Sequence, residues 1–436
     1  MAFQTLPGFR DFYPEDYAVK QFIISRWREV CQRYGFVEYD GPVLEPLELY
    51  TQKSGEEIVR QLFNFTDKGG REVALRPELT PTLARMAAAR ERQYKKPMKW
   101  FSTSQCFRYE RTQKGRLREF FQLNCDVMGE GSFAAEVEIL ALLVDLLREF
   151  GLTDRDFQVR FFSRDFWRLF LTSTDLSVEP DKIPAVLALI DKIERLEGEA
   201  LNKALAETGL VPAQFERIRD LCTHGWMTSA LQDTRAQDDM TRLRDQYLQK
   251  LGDMGSVGRF IKLDGCIVRG LAYYTSTTFE TFELAQNAEG GFTGRALAGG
   301  GRYDDLIEKV GGVKLPAIGF GMGDVVLGDL LRERNLLPAN LNALQVYVVI
   351  VDESLRGAAL GVVSDLRRAG YRTDYSLAAA KVGKQFQAAE ERGAKCAVVI
   401  APEEWVAGNV KLKNLSTREE IPLAKEQMVT WLQSKL

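Results

Sequence analysis

The sequence predicts an α+β protein of more than one domain, and three observations carry that expectation. Two apolar segments, Met98–Phe107 and Phe120–Met128, flank the cationic run Arg108–Arg118. The Lys114-Gly115 pair near the centre of the run marks a turn, so a charged hairpin tip joins two largely buried strands. Between about 165 and 253 strand signals fade, and Leu, Ala, Lys, Glu and Arg recur at helical spacing, as in a helical insertion. Past Asn335–Asn342, a linker containing Pro338, strand and helix patterns alternate as βαβαβ, the mark of a small α/β domain. At 436 residues the chain also exceeds what one core usually supports.

In chain order, residues 1–10 end in the turn-forming Leu6-Pro-Gly-Phe-Arg10. An amphipathic pattern over 15–34 predicts a helix stopped by Gly35. Phe36 to Tyr39 alternates like a strand and meets Gly41-Pro42, and Phe63–Ala74 reads as a hairpin turning at Asp67–Gly70. Leu75–Pro81 is expected as a break with exposed polar groups, followed by a helix from about Thr82 to Arg92. A helix also fits Ala134–Phe150, and glycine-rich strands return over 262–322. In the last domain, strands are expected at Gln345–Val351, 371–375 and Cys396–Ile400, with helices at 354–369 and 381–392.

Composition excludes several classes of function. Net charge is −3, so no global basic field announces a nucleic-acid binder, and any such partner is held by local patches. Over residues 340–436 basic residues exceed acidic ones by only 2, with Arg367, Arg368, Lys381 and Lys384 as candidate contacts. No apolar run approaches the roughly 20 residues that span a bilayer, and no signal pattern opens the chain, which points to the cytoplasm and no membrane partner. Six cysteines lack metal-type spacing and read as reduced thiols. The single histidine, His224, removes His-based triads and His-rich metal sites and reads as a loop or helix-terminal residue. Catalysis must then rest on arginine, carboxylate, tyrosine, lysine, substrate groups or a metal. No metal site built from protein side chains is expected.

Several separated segments place polar groups where burial would be costly unless they serve a ligand. In the second hairpin strand, Gln122 and Asp126 share one face because strand side chains alternate. Leu75–Thr80 offers Glu78 and Thr80 beside a proline-fixed backbone, and Ile267–Thr275 places Arg269, Tyr273 and Tyr274 next to Gly270. Ala298–Asp304 adds three glycines, an arginine and Tyr303, read as a flexible backbone with a cation and a phenol. Arginines at strand ends can hold a polyphosphate through paired hydrogen bonds. Together the segments describe a pocket for a zwitterion beside a polyanion.

These stretches resemble the histidyl-tRNA synthetases, a family of class II aminoacyl-tRNA synthetases, over nearly the whole length. Tyr34-Gly-Phe with Gly41-Pro-Val-Leu-Glu45 resembles the first class II motif, and Phe107-Arg-Tyr-Glu-Arg111 with the following loop and Phe120 resembles the second. Val268–Thr275 and Gly299–Asp304 resemble the two stretches that set this family apart. The resemblance implies a mixed, mainly antiparallel class II sheet over residues 1–334, with the insertion at about 165–253. It implies a linker at 335–341 and an anticodon-binding domain at 342–436. The implied substrates are ATP, L-histidine and tRNA(His), with Mg²⁺ bridging phosphate oxygens, in a homodimer joined through the first motif. Arg108 and Arg269 would contact the α-phosphate, Glu110 the adenine amino group, and Arg116 the outer phosphates. Phe120 would stack on adenine. Glu78, Thr80 and Gln122 would bind the histidine ammonium, while Asp126, Tyr274 and Tyr303, with Tyr273 in the same wall, would hold the imidazole.

Three positions depart from the family pattern. Val326 stands where the third class II motif carries an arginine for the γ-phosphate, Ala272 replaces an aspartate, and Asp126 is one methylene shorter than a common glutamate. The alternative reading is a non-catalytic, histidine-sensing paralogue, the regulatory subunit of ATP phosphoribosyltransferase. That paralogue generally lacks the last domain and degrades the second motif, whereas this chain has both.

Overall fold

A computed structural model describes residues 3–51, 59–113, 115–193, 196–224, 231–268, 273–284 and 294–435. The chain forms two compact units, one of residues 1–11 with 20–336 and one of 12–19 with 337–436.

The larger unit is organised by an eight-stranded sheet. Its strands are β1 (Val37–Glu38), β5 (Met98–Phe107), β6 (Glu119–Met128), β7 (Phe157–Ser163), β8 (Ile261–Leu263), β9 (Thr277–Glu283), β10 (Ala296–Arg302) and β11 (Ala317–Gly323). The order is β1-β5-β6-β11-β10-β9-β7-β8. The central pairs are antiparallel, and only the edge pairs β1–β5 and β7–β8 are parallel. A small sheet of β2 (Leu44–Pro46), β3 (Phe63–Thr66) and β4 (Glu72–Leu75) stands beside it in the sequence before β5. The β3–β4 turn forms at Asp67, whose Oδ1 accepts the backbone N–H groups of Gly69 and Arg71.

The cationic hairpin runs in unbroken register from Met98↔Met128 to Phe107↔Glu119. Ten apolar-rich residues per strand allow this, and the sheet is covered by the helix Ala134–Arg148, which buries nine side chains including Ile139, Leu143 and Leu147. The helix Pro14–Arg33 buries Ile23, Trp27 and Val30, and Gly35 follows it at φ +75°. Such a left-handed residue ends a helix at little strain only when it is glycine.

The insertion is helical, with helices at Arg164–Thr172, Ile183–Ile190, Gly198–Thr208, Pro212–His224 and Thr234–Gly252. Phe162, Trp167 and Phe170 interlock at its start. His224 is the last residue of its helix.

In the second unit the sheet order is β13-β12-β14-β15-β16, from β12 (Val346–Ile350), β13 (Thr373–Tyr375), β14 (Cys396–Ile400), β15 (Asn409–Asn414) and β16 (Glu420–Ala424). β12 lies parallel to both β13 and β14 and is buried on both faces, as its unbroken Val-Tyr-Val-Val-Ile run requires. The antiparallel pair β15–β16 and the final helix Met428–Lys435 have no counterpart in the sequence reading; β15, Asn409–Asn414, alternates lysine and asparagine with apolar residues like a surface loop. Arg367, a candidate for an outside partner, donates instead to the Thr373 carbonyl at 3.1 Å. Lys381 and Lys384 are exposed.

Candidate active site

A cavity of about 180 Å³ opens among β6, β9, β10, β11 and the Leu75–Thr80 segment. Its lining includes Glu78, Thr80, Arg108, Gln122, Asp126, Tyr273, Tyr274 and Tyr303. Segments separated by more than two hundred residues thus converge on one space.

One correction concerns Leu75–Pro81. Its polar groups are buried, not exposed: Arg76 is 2% accessible and Glu78 4%. Arg76 makes this burial tolerable by pairing three of its guanidinium N–H groups. It donates Nε to the Gln105 carbonyl and Nη1 to Asp40 Oδ1 and the Gly41 carbonyl, each at 2.8 Å. The segment is thereby riveted between β5 and the Gly41-Pro42 turn. Arg108 then donates Nε to the Pro77 carbonyl at 3.0 Å, so the leading arginine of the cationic run and the carboxylate of Glu78 are fixed side by side.

The tyrosines form a second wall. Tyr273 meets Tyr274 edge-on at 5.2 Å and Tyr303 at 6.0 Å between ring centroids. Tyr273 donates its hydroxyl to Glu78 Oε2 at 2.7 Å, and Tyr303 donates to Asp126 Oδ1 at 2.5 Å. The other oxygen of Asp126 is buried with no hydrogen-bond partner. Burial raises the Asp126 carboxyl to about 7, against the opposing pull of the Tyr303 hydroxyl. A buried acceptor left open is costly unless a ligand donor meets it. Asp126 therefore keeps one buried acceptor oxygen without a partner in the wall of the cavity.

Three glycines explain how these groups fit. A Cβ at Gly319 would lie 2.0 Å from Asp126 Oδ1, and one at Gly321 would lie 2.5 Å from Gln122 Nε2. The sequence reading missed these positions. Their signal was the alternation Gly319-Phe-Gly-Met-Gly323, which leaves one face of β11 without side chains. At Gly301 a Cβ would press on Tyr274 at 2.9 Å, so Gly299–Gly301 is a tightly packed strand and not a flexible backbone. Glu280 and Asn124, also in the lining, were missed because nothing in their local pattern separates them from ordinary strand polar residues.

Arg302, read from sequence as a cation for the ligand, is committed elsewhere. It is 4% accessible and pairs with buried Glu136 through Nε at 2.6 Å and Nη2 at 2.5 Å. It also holds the carbonyls of Glu130 and Ser132. This arginine ties β10 to the helix Ala134–Arg148 and does not line the cavity.

At the cationic loop, Phe120 is covered on one face by the Arg108 guanidinium, 5.1 Å from the ring centre. Arg116 is largely exposed and pairs with Glu110 at 3.5 Å. Val326, in the helix Asp324–Glu333, faces Gly115 of the loop: a Cβ at Gly115 would stand 3.2 Å from Val326 Cγ2. Arg269, Gly270, Ala272 and Lys114 lie outside the described residues. Among the described residues no group of three or more His, Cys, Asp or Glu side chains is placed to hold a metal ion. No described helix is long and apolar enough to cross a membrane.

Residues 8–323 match the family model of histidyl-tRNA synthetase, and residues 345–435 match that of an anticodon-binding domain. A histidine–tRNA ligase of Opitutus terrae is 45% identical over 98% of this chain and 97% of its own. One of Haloarcula marismortui is 36% identical over 96% and 95%. The crystal structure of histidyl-tRNA synthetase from Nostoc sp. PCC 7120 superposes with a TM-score of 0.82 over 100% of both chains at 24% identity, a likeness of fold. From Pro7-Gly8 at its start to the last strands of its second unit, the chain belongs to the histidyl-tRNA synthetase family.

Proposed function

We propose that this protein is an active histidine–tRNA ligase. It joins L-histidine to ATP as histidyl-adenylate and transfers the histidyl group to the 3′ end of tRNA(His). The observation that carries the reading is the buried, unpartnered oxygen of Asp126 in the wall of a preformed, tyrosine-lined cavity. An imidazole N–H is the donor that such an acceptor selects, and a phenyl ring or an alkyl side chain would leave it unpaired.

Glu78, Thr80 and Gln122 take the substrate ammonium, which leaves the histidine carboxylate directed toward Arg108. Carboxylate oxygen attacks the α-phosphorus in line, and pyrophosphate leaves. The attacking group is already ionised at neutral pH, so no protein base is required. Arg108 and Arg269 stabilise the charge that builds on the α-phosphoryl oxygens. The terminal ribose hydroxyl of the tRNA then attacks the histidyl carbonyl, and AMP leaves.

Adenine stacks on Phe120, opposite the face that Arg108 covers, with Glu110 accepting its amino group. Arg116 turns from Glu110 to the outer phosphates. Mg²⁺ arrives with the nucleotide. Glu280 of the cavity lining would be the carboxylate available to hold it, and the ion would neutralise charge on the phosphates. The chain works in the cytoplasm as a homodimer through the Gly41-Pro42 region. The exposed Lys381 and Lys384 of the second unit offer local contacts to the tRNA phosphates.

Histidine-dependent exchange of labelled pyrophosphate into ATP tests the first step, and charging of tRNA(His) transcripts tests the second. Exchange is the expected result. Histidine binding without exchange would instead establish the sensing paralogue.

A further inference from the structure

Outside the cavity, a polar cluster lies at the stem of the cationic loop. Arg10 donates Nη1 to Asp324 Oδ2 at 2.9 Å and Nη2 to Glu119 Oε1 at 3.1 Å. Both carboxylates are nearly inaccessible, at 4% and 3%. The second oxygen of Asp324 accepts the Phe121 backbone N–H at 2.8 Å. One guanidinium therefore joins three segments distant in sequence. They are the stretch before the first helix, the start of β6, and the start of the helix that carries Val326.

Backbone contacts reinforce this junction. The Gly8 carbonyl accepts from the N–H groups of Arg118 at 2.9 Å and Glu119 at 3.3 Å. The Arg118 carbonyl in turn accepts the Arg108 N–H at 2.9 Å, which closes the stem of the loop. Gly8 has φ +85°, and a Cβ there would lie 2.8 Å from the side chains of Arg118 and Thr112. Such close approach needs glycine. Phe9 packs on Phe107 and Phe63, at 6.4 and 5.9 Å between ring centres. Residues 8–10 thus hold the loop stem from outside the cavity.

We propose that Arg10 is a positioning residue for ATP, acting through Glu119 and Asp324 on the stem that aims Arg108, Arg116 and Phe120. The inference rests on the ligase reading above and deepens it. Val326 brings no cation to the phosphates, so the loop's own guanidinium groups must neutralise them, and their placement depends on a rigid stem. The helix start, which elsewhere in the family serves the γ-phosphate, here commits Asp324 to that stem. A planar fork can bridge two carboxylates on different elements, whereas a lysine ammonium offers one compact point of charge.

The test compares wild type, Arg10→Lys, Arg10→Met and the triple variant Arg10→Met/Glu119→Gln/Asp324→Asn. The measurements are KM for ATP and for histidine in pyrophosphate exchange, equilibrium affinity for ATP, and thermal midpoint. The triple variant removes all three charges together, so it guards against a simple loss of folding. The expected result is a KM for ATP raised on the order of tenfold in each variant, with KM for histidine unchanged, because misaimed groups lose the transition state without touching the other substrate. In the triple variant the thermal midpoint recovers toward wild type while KM for ATP stays high. A folded triple variant with wild-type KM for ATP, or equal shifts in both KM values, overturns the proposal. A wild type without histidine-dependent exchange overturns the ligase reading instead, and the ATP affinities of the four proteins still decide this one.

Discussion

The two halves of the site are built differently. On the histidine side, Glu78 and Asp126 are both buried and each already accepts a tyrosine hydroxyl. On the nucleotide side, Arg116 stands 61% exposed and is paired with Glu110, the residue proposed to read adenine. The first half is complete before a ligand arrives and lacks only one donor. The second must break an internal ion pair to form. An exposed pair of this kind is worth roughly 0–1 kcal/mol, so a triphosphate easily displaces it. On the proposed reading, selectivity resides in the rigid half, where a wrong side chain leaves a buried group unpaired. Capture of the common substrate resides in the adaptable half.

Substitutions can break or sharpen this contrast. The largest effect is expected at Arg269, which we propose for the shared reacting centre. Arg269→Ala should slow activation by at least about a hundredfold, the scale of one transition-state donor. Single-turnover adenylate formation measures this, and near-normal rates would remove Arg269 from the mechanism.

On the rigid side, Asp126→Ala should weaken histidine binding roughly thirtyfold, since an imidazole N–H loses a charged acceptor. KM for ATP should hardly move. Isothermal titration with histidine checks it, and a parallel loss of ATP affinity would mean the two halves are one unit.

On the adaptable side, Arg116→Ala should raise KM for ATP roughly tenfold and leave KM for histidine alone. Unchanged ATP dependence would show that the loop cation is not recruited.

The Asp126 carboxyl also makes the rigid half testable by pH. Burial holds it near 7 in the folded chain, against an ordinary value of 3.8. The folded state therefore binds this proton more tightly than the unfolded state does. Stability from this group is present at low pH and is lost as pH rises from about 4 to about 7. Asparagine does not titrate. The stability advantage of Asp126→Asn over wild type should thus grow by about 3 kcal/mol between pH 5 and pH 8. Denaturant titrations at both pH values measure it, and a constant difference would place the carboxyl in a better-solvated setting.

The smallest effect is expected at Val326. Its methyl group already lies against Gly115, so Val326→Arg should change ATP affinity by no more than about threefold, or weaken it, because a cation there displaces the loop. Strong tightening without loss of rate would show that nothing in the wild type replaces the family's arginine.

Legibility differed along the chain for physical reasons. The hairpin β5–β6 and the strands β12 and β14 were readable because long apolar runs report burial directly. The pair β15–β16 was not, because half-exposed strands such as Asn409–Asn414 carry lysines and asparagines like a loop. Gln122 and Asp126 were placed on one face by periodicity alone, and the cavity indeed takes both. Arg302 misled, because an arginine in a distinctive motif looks the same in sequence whether its partner is a substrate or Glu136.

By itself, then, the sequence determined most of the strands and helices, which family they form, and which residue types would meet a zwitterion and a triphosphate. Those are properties of local pattern and chemistry. Only the tertiary structure decided how each charge is used. It sets Arg76 and Arg302 to hold the scaffold, leaves one oxygen of Asp126 open, and clamps the loop stem through Arg10. The reason is that a buried charge is defined by its partner, and here Arg302 and Glu136 lie 166 residues apart along the chain and Arg10 and Asp324 lie 314 apart.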